Sequence, residues 1–121
     1  LTLSGKGRRD KGTRFELEVR DAFRAYGFDC DRVPNSGGLR IKGDLYGNLP
    51  VHVEAKHHER WSLKEWLRQA RADAPSEAIP VVIFRENRGE TYATLPLDNL
   101  LVLLKVEREY MELIEKGKKN G

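Results

Sequence analysis

The sequence predicts an α/β domain with a single mixed central β-sheet flanked by helices. Three observations lead there. Apolar residues recur at three- and four-residue spacing near both ends of the chain, as they do on helices with one buried face. Between those ends, Val51 to Lys56 alternates apolar with polar and Ile79 to Phe84 runs apolar without alternation, the patterns of strands covered on one face and on two. The chain has 121 residues, 39% of them hydrophobic and 34% charged, which suits one buried core and excludes both a disordered chain and a membrane-spanning one.

Residues 1–12 are glycine-rich and basic and are expected to form a flexible segment, with residues 13–121 making one domain. From Thr13, Phe15, Val19, Ala22, Phe23 and Tyr26 fall on one helical face, and Gly27 can close the helix as a left-handed cap. A short strand around Phe28 to Val33 leads into the loop Pro34-Asn35-Ser36-Gly37-Gly38. Ile41 to Tyr46 reads as a second strand, and Gly47-Asn48 as the turn of a hairpin into Val51 to Lys56. In that third strand Val51, Val53 and Ala55 face the core, while His52, Glu54 and Lys56 share the opposite face.

Ser62 and Glu65 have capping-box spacing, with Trp61 and Trp66 placed as a hydrophobic staple, so a helix is expected from about Leu63 to Asp73. The run PVVIF follows as a buried strand, and Thr91 to Leu95 pairs with it across Asn87-Arg88-Gly89. After Pro96, Leu97, Leu101, Leu104 and Met111 lie along one side of a final helix, to be packed on the sheet or to form part of a subunit contact.

The 22 basic and 19 acidic residues leave a net charge of +3. Its distribution is more informative, because Arg8, Arg9, Lys11 and Arg14 cluster at the start and Arg32, Arg40 and Lys42 flank the Pro34 loop. Two such clusters suit a polyanion, although a solubilising tail and a solvated loop have the same composition. No apolar run approaches a bilayer span and LTLSGKGRRD carries no apolar signal region, so no membrane is expected and the compartment is read as cytoplasmic. With Cys30 as the only cysteine there is no internal disulfide and no cysteine zinc cage. GRRDKGT has the glycine spacing of a phosphate-binding P-loop but carries Thr13 where lysine belongs, which excludes that reading. His52, His57 and His58 do not make a zinc site, since adjacent strand residues face opposite ways, and are read as surface or DNA-facing.

The chemistry concentrates at Asp44 and, ten residues on, Glu54-Ala55-Lys56. Glu54 and Lys56 leave the same face of their strand, and pairing of the strands can set Asp44 beside Glu54. Two carboxylates and an ammonium so placed can hold a hard cation, Mg²⁺ or Mn²⁺, and activate water against a phosphodiester. A surface ion pair beside a turn aspartate would give the same letters.

In these residues the sequence resembles the PD-(D/E)xK nuclease superfamily, and within it the Holliday junction resolvases of archaea and their viral relatives. The resemblance runs from Arg9 to Phe84: RRDKG leading to Glu16, Gly27-Phe28, PNSG with Ser36, Gly43-Asp44, and Glu54-x-Lys56. It implies a restriction-endonuclease-like core in which Glu16, Asp44 and Glu54 are metal-site acids, Lys56 is catalytic and Ser36 is needed for cleavage. Thr13-x-x-Glu16 is also a capping box, and Ser36 is also an ordinary turn residue. Gln69 on the second helix resembles a polar residue that many of these nucleases place there, on what is equally a solvated surface. The implied protein is a magnesium-dependent endonuclease that binds branched DNA and resolves four-way junctions as a homodimer, in a host cytoplasm if it is viral. Another PD-(D/E)xK nuclease acting on duplex, nicked or flapped DNA, or a non-catalytic DNA-binding module, are the alternatives. His57 and His58 depart from the small or hydroxyl residues that commonly follow the lysine.

Overall fold

The computed structural model describes residues 5–34, 42–57, 62–86 and 89–120. They run α1 (Gly5–Ala25), β1 (Cys30–Arg32), β2 (Leu45–Gly47), β3 (Val51–Lys56), α2 (Leu63–Asp73), β4 (Ile79–Arg85), β5 (Thr91–Thr94) and α3 (Leu97–Asn120). The predicted mixed α/β class and element order hold. β4 is the central strand of a three-stranded mixed sheet, parallel to β3 through the α2 crossover and antiparallel to β5. β1 and β2 form a separate antiparallel ribbon. Among the described residues no helix is long and apolar enough to cross a membrane.

The sheet is covered on both faces. Phe15 and Val19 of α1 pack with Val53, Val81 and Ile83, joined by Cys30 and Leu45 of the ribbon. Trp66 and Ala70 of α2 pack with Val82 and Phe84 on the other side. Unbroken apolar sequence in β4 is what such two-sided burial selects. Glu54 and Val82 are register partners and therefore share the α2 face, so the polar side of β3 lies under a helix rather than in solvent.

Four expectations need correction. α1 begins at Gly5, not near Thr13: Gly5, Gly7 and Gly12 read as a loop on propensity, but the helix anchored by buried Phe15 and Val19 extends through them. Residues 5–12 are thus helical, and Thr13 stands inside the helix rather than at its cap. The ladder expected between the second and third strands gives way to a β1–β2 ladder, with Arg32 opposite Leu45. Gly47, at φ +133°, turns the chain against the Asp29 carbonyl, where a Cβ would collide, and Asn48 N–H donates to that same carbonyl. At α2, Ser62 is the cap residue without a side-chain cap bond, and Glu65 pairs with Arg68 instead. Trp61, the other half of the expected staple, lies outside the described residues. Finally, α3 does not pack on the sheet. α1 and α2 already occupy its two faces, and the C-terminal contribution to the core stops at Leu95.

Candidate active site

Asp44 is fixed by hydrogen bonds to two strands. Val33 N–H donates to its carbonyl at 2.9 Å, tying it to the end of β1, and its own N–H donates to the Val53 carbonyl at 2.9 Å. Its Oδ2 accepts the Ala55 N–H at 2.7 Å. Asp44 therefore grips β3 on both sides of Glu54, which achieves through single bonds the juxtaposition that a full hairpin was expected to give. Gly43 makes the approach possible: its φ is +91°, and a Cβ there would lie 2.9 Å from the His52 ring and 3.2 Å from the Val53 carbonyl.

Glu54 is buried, only 7% exposed, and its Oε1 lies 3.1 Å from His52 Nε2. Lys56 is half-buried two residues on, at the end of β3. From α1, Glu16 Oε2 accepts Arg32 Nε at 2.6 Å, and Arg32 Nη2 also reaches Thr13 Oγ1 at 3.3 Å. Burial pushes the Asp44 carboxyl up to about 7. The Ala55 N–H bond opposes that shift, repulsion from Glu54 and Glu16 adds to it, and Lys56 pulls back. Glu54, Glu16 and Lys56 thus all act on a partly dehydrated Asp44.

Among the described residues, no three His, Cys, Asp or Glu side chains are gathered into a ready-made metal cage. Glu16 is turned to Arg32 and Glu54 to His52. The donor set nevertheless fits a hard divalent cation. Asp44 and Glu54 offer carboxylate oxygens whose mutual repulsion such an ion would relieve, with water completing its shell.

The linkage has a definite sign. Between 3.8 and about 7 the folded protein holds on Asp44 a proton that the unfolded chain has released, so stability falls as pH rises through that window. The metal-free protein is expected to melt lower at about pH 8 than at about pH 5, with Asp44→Asn removing most of the difference. Mg²⁺ should raise the melting temperature more at the higher pH, because ligation needs the deprotonated carboxylate. Melting curves at both pH values test this, and a melting temperature that climbs with pH without metal would contradict it.

The remaining sequence candidates are dispersed. Ser36 and Arg40 lie outside the described residues. Arg8 and Arg9 lie in the first turns of α1, Lys11 is half-buried there, and Arg14 is exposed. Lys42 is exposed, 3.5 Å from Asp73, and Gln69 is exposed on α2. Arg32, grouped with the basic clusters in the sequence, is instead internal to the domain through Glu16. His52 and His57 are also not surface residues: His52 is buried against Glu54, and the His57 ring packs 5.2 Å from that of Phe15. His58 lies outside the described residues. Sequence reasoning misses His52 and Arg32 as neighbours of the acids. The period of two that puts His52 on the face of Glu54 is a signal for the first, whereas Arg32 and Glu16 have no local signal.

The family model described as "Phage putative PDDEXK endonuclease" matches residues 7–120. Protein D14 of Escherichia phage T5 is 29% identical over an aligned length of 134 residues, which covers 89% of this chain and 82% of that protein. No solved structure matches.

Proposed function

The chain belongs to the phage PDDEXK endonuclease family, and on that footing we propose that it is a magnesium-dependent, structure-selective DNA endonuclease that resolves four-way junctions as a homodimer. The observation that carries the catalytic half of this reading is Asp44, held by Val53 and Ala55 against β3, with Glu54 between its two contacts and Lys56 beyond. Asp44 and Glu54 would hold the cation, which when bound supplies Lewis acidity and a water of lowered pKa. The residues of the chain do the rest. His52 orients the Glu54 carboxylate, Gly43 admits Asp44 to the strand edge, and Lys56 offers its ammonium to a phosphoryl oxygen. Glu16 would join the cation site only by leaving Arg32, and Ser36 and Gln69 are assigned their roles by resemblance to the resolvases alone.

Junction preference is supported by the order RRDKG, Glu16, PNSG, Gly43-Asp44 and Glu54-x-Lys56. One such site breaks one strand, and a four-way junction needs two strands of matching polarity cut, which a two-fold dimer supplies. Cleavage of a cruciform plasmid in the presence of Mg²⁺ tests it: linear product within one binding event is expected. Nicking alone, or equal cutting of plain duplex and flaps, would overturn the resolvase reading and leave the nuclease of broader substrate range.

The basic start of α1, with Arg8, Arg9 and Lys11, would meet the DNA backbone, together with Arg14, Arg40 and Lys42. Alanine at Arg8, Arg9 and Lys11 is expected to weaken binding to all DNA forms and to lower the log–log salt slope by roughly 0.9 for each phosphate no longer neutralised. Titration by fluorescence anisotropy at several salt concentrations measures it, and an unchanged slope would leave the segment as a solubilising one.

A further inference from the structure

α3 is too apolar for the solvent it faces. Ten of its large apolar side chains are exposed, from 37% at Leu100 to 66% at Leu113, and none of the extensively packed pairs of described elements includes it. Over residues 100–104 it is apolar nearly all round, the composition of a helix that is buried somewhere.

We propose that α3 is a dimerisation helix that packs antiparallel against α3 of a second copy of this chain. This deepens the homodimer of the proposed function, but it rests on the helix alone and holds whether or not the site cleaves DNA. Leu103, Val106, Tyr110 and Leu113 follow one another at spacings of three, four and three, the seam of a coiled coil. The seam is complementary to its own reverse. With residue 108 at the two-fold axis, Leu103 faces Leu113 of the second copy and Val106 faces Tyr110. The ends agree with this direction. Asp98 opens the helix and Lys116, Lys118 and Lys119 close it, so antiparallel pairing brings acid to base and opposes the helix dipoles, whereas parallel pairing gathers the lysines together. A 24-residue helix is ~36 Å long, and two of them laid face to face with this much exposed apolar surface approach the ~800 Å² per partner of a standard interface.

Sedimentation of the full chain at micromolar concentration is expected to give twice 13.9 kDa, with Asp44→Asn dimerising like the parent. Leu103→Glu and Tyr110→Glu should each give a monomer that retains its helical circular dichroism. Disulfide trapping keeps the test independent of those substitutions. Asn99→Cys mixed with Gly117→Cys should cross-link on oxidation. Asn99→Cys alone should not, since its two copies lie ~27 Å apart in the antiparallel pair. The sole native cysteine, Cys30, is buried and does not compete. A parent chain that sediments as a monomer, which would reserve α3 for another partner, overturns the proposal. So does self-linking of Asn99→Cys, or a dimer indifferent to Leu103→Glu.

Discussion

Asp44→Asn and Glu54→Gln are each expected to abolish cleavage while leaving DNA binding intact or slightly tighter. Each swap keeps size and hydrogen-bonding shape but removes one anionic oxygen ligand. The amide oxygen introduced by Asp44→Asn can still accept the Ala55 N–H, so the turn at Gly43 and the bond to Val53 should survive. What disappears is the charge that holds the cation, and metal stabilisation of the transition state accounts for several kcal/mol, ~10³-fold or more in rate. Binding moves the other way because a negative charge facing phosphate is removed. Single-turnover cleavage with a parallel binding titration measures both effects, and cleavage at a substantial fraction of the parent rate would remove these acids from the site. The Glu54 variant carries a second signature: His52 Nε2 is deprived of its carboxylate partner in a buried pair, so some loss of stability should accompany the slower rate.

Lys56→Ala is expected to bind metal and DNA as the parent does and to lose turnover. Its ammonium lies at the end of β3, where it acts on Asp44 against the repulsion of Glu54 and Glu16. If its task is to meet charge developing on the phosphoryl group, the loss falls on kcat and not on KM, since the interaction strengthens only in the transition state. Removing one preorganised charge donor of this kind costs roughly 10²- to 10³-fold. Kinetics over a range of substrate concentration distinguish the cases, and a raised KM with kcat unchanged would make Lys56 a DNA contact only.

Much of this site is legible in the amino-acid sequence. Alternation in β3 puts Glu54 and Lys56 on one face, and a turn within the ten residues that separate them from Asp44 is enough to bring the two acids together. The route is not legible. A Gly-Asn pair suggests a hairpin between β2 and β3, yet Asn48 N–H donates back to the Asp29 carbonyl and Gly47 lies close against it, a contact across the ribbon that no local pattern encodes. The same limit hides Arg32. A basic residue beside a basic loop reads as a DNA contact until the fold sets it 2.6 Å from Glu16. His52 is misread for another reason: a polar strand face is equated with solvent, whereas His52 and Glu54 on that face are buried. The periodicity of α3 shows an apolar side but cannot say against what it packs, because the two sheet faces are claimed by Phe15 and Val19 and by Trp66 and Ala70. Helix α1 reads too short because Gly5, Gly7 and Gly12 have the poor helix propensity of a loop, yet the helix runs on through them to Gly5.

The proposed activity turns on Asp44, Glu54 and Lys56 forming a metal-dependent phosphodiesterase site. Incubating end-labelled four-way junction, duplex and flap DNA with the parent chain and with Asp44→Asn, each with Mg²⁺ and with chelator, probes that site without intermediaries. Cleavage by the parent is expected only when Mg²⁺ is present and strongest on the junction, with none by Asp44→Asn under either condition. Cleavage that persists in chelator, or an Asp44→Asn protein that cuts as the parent does, would contradict it.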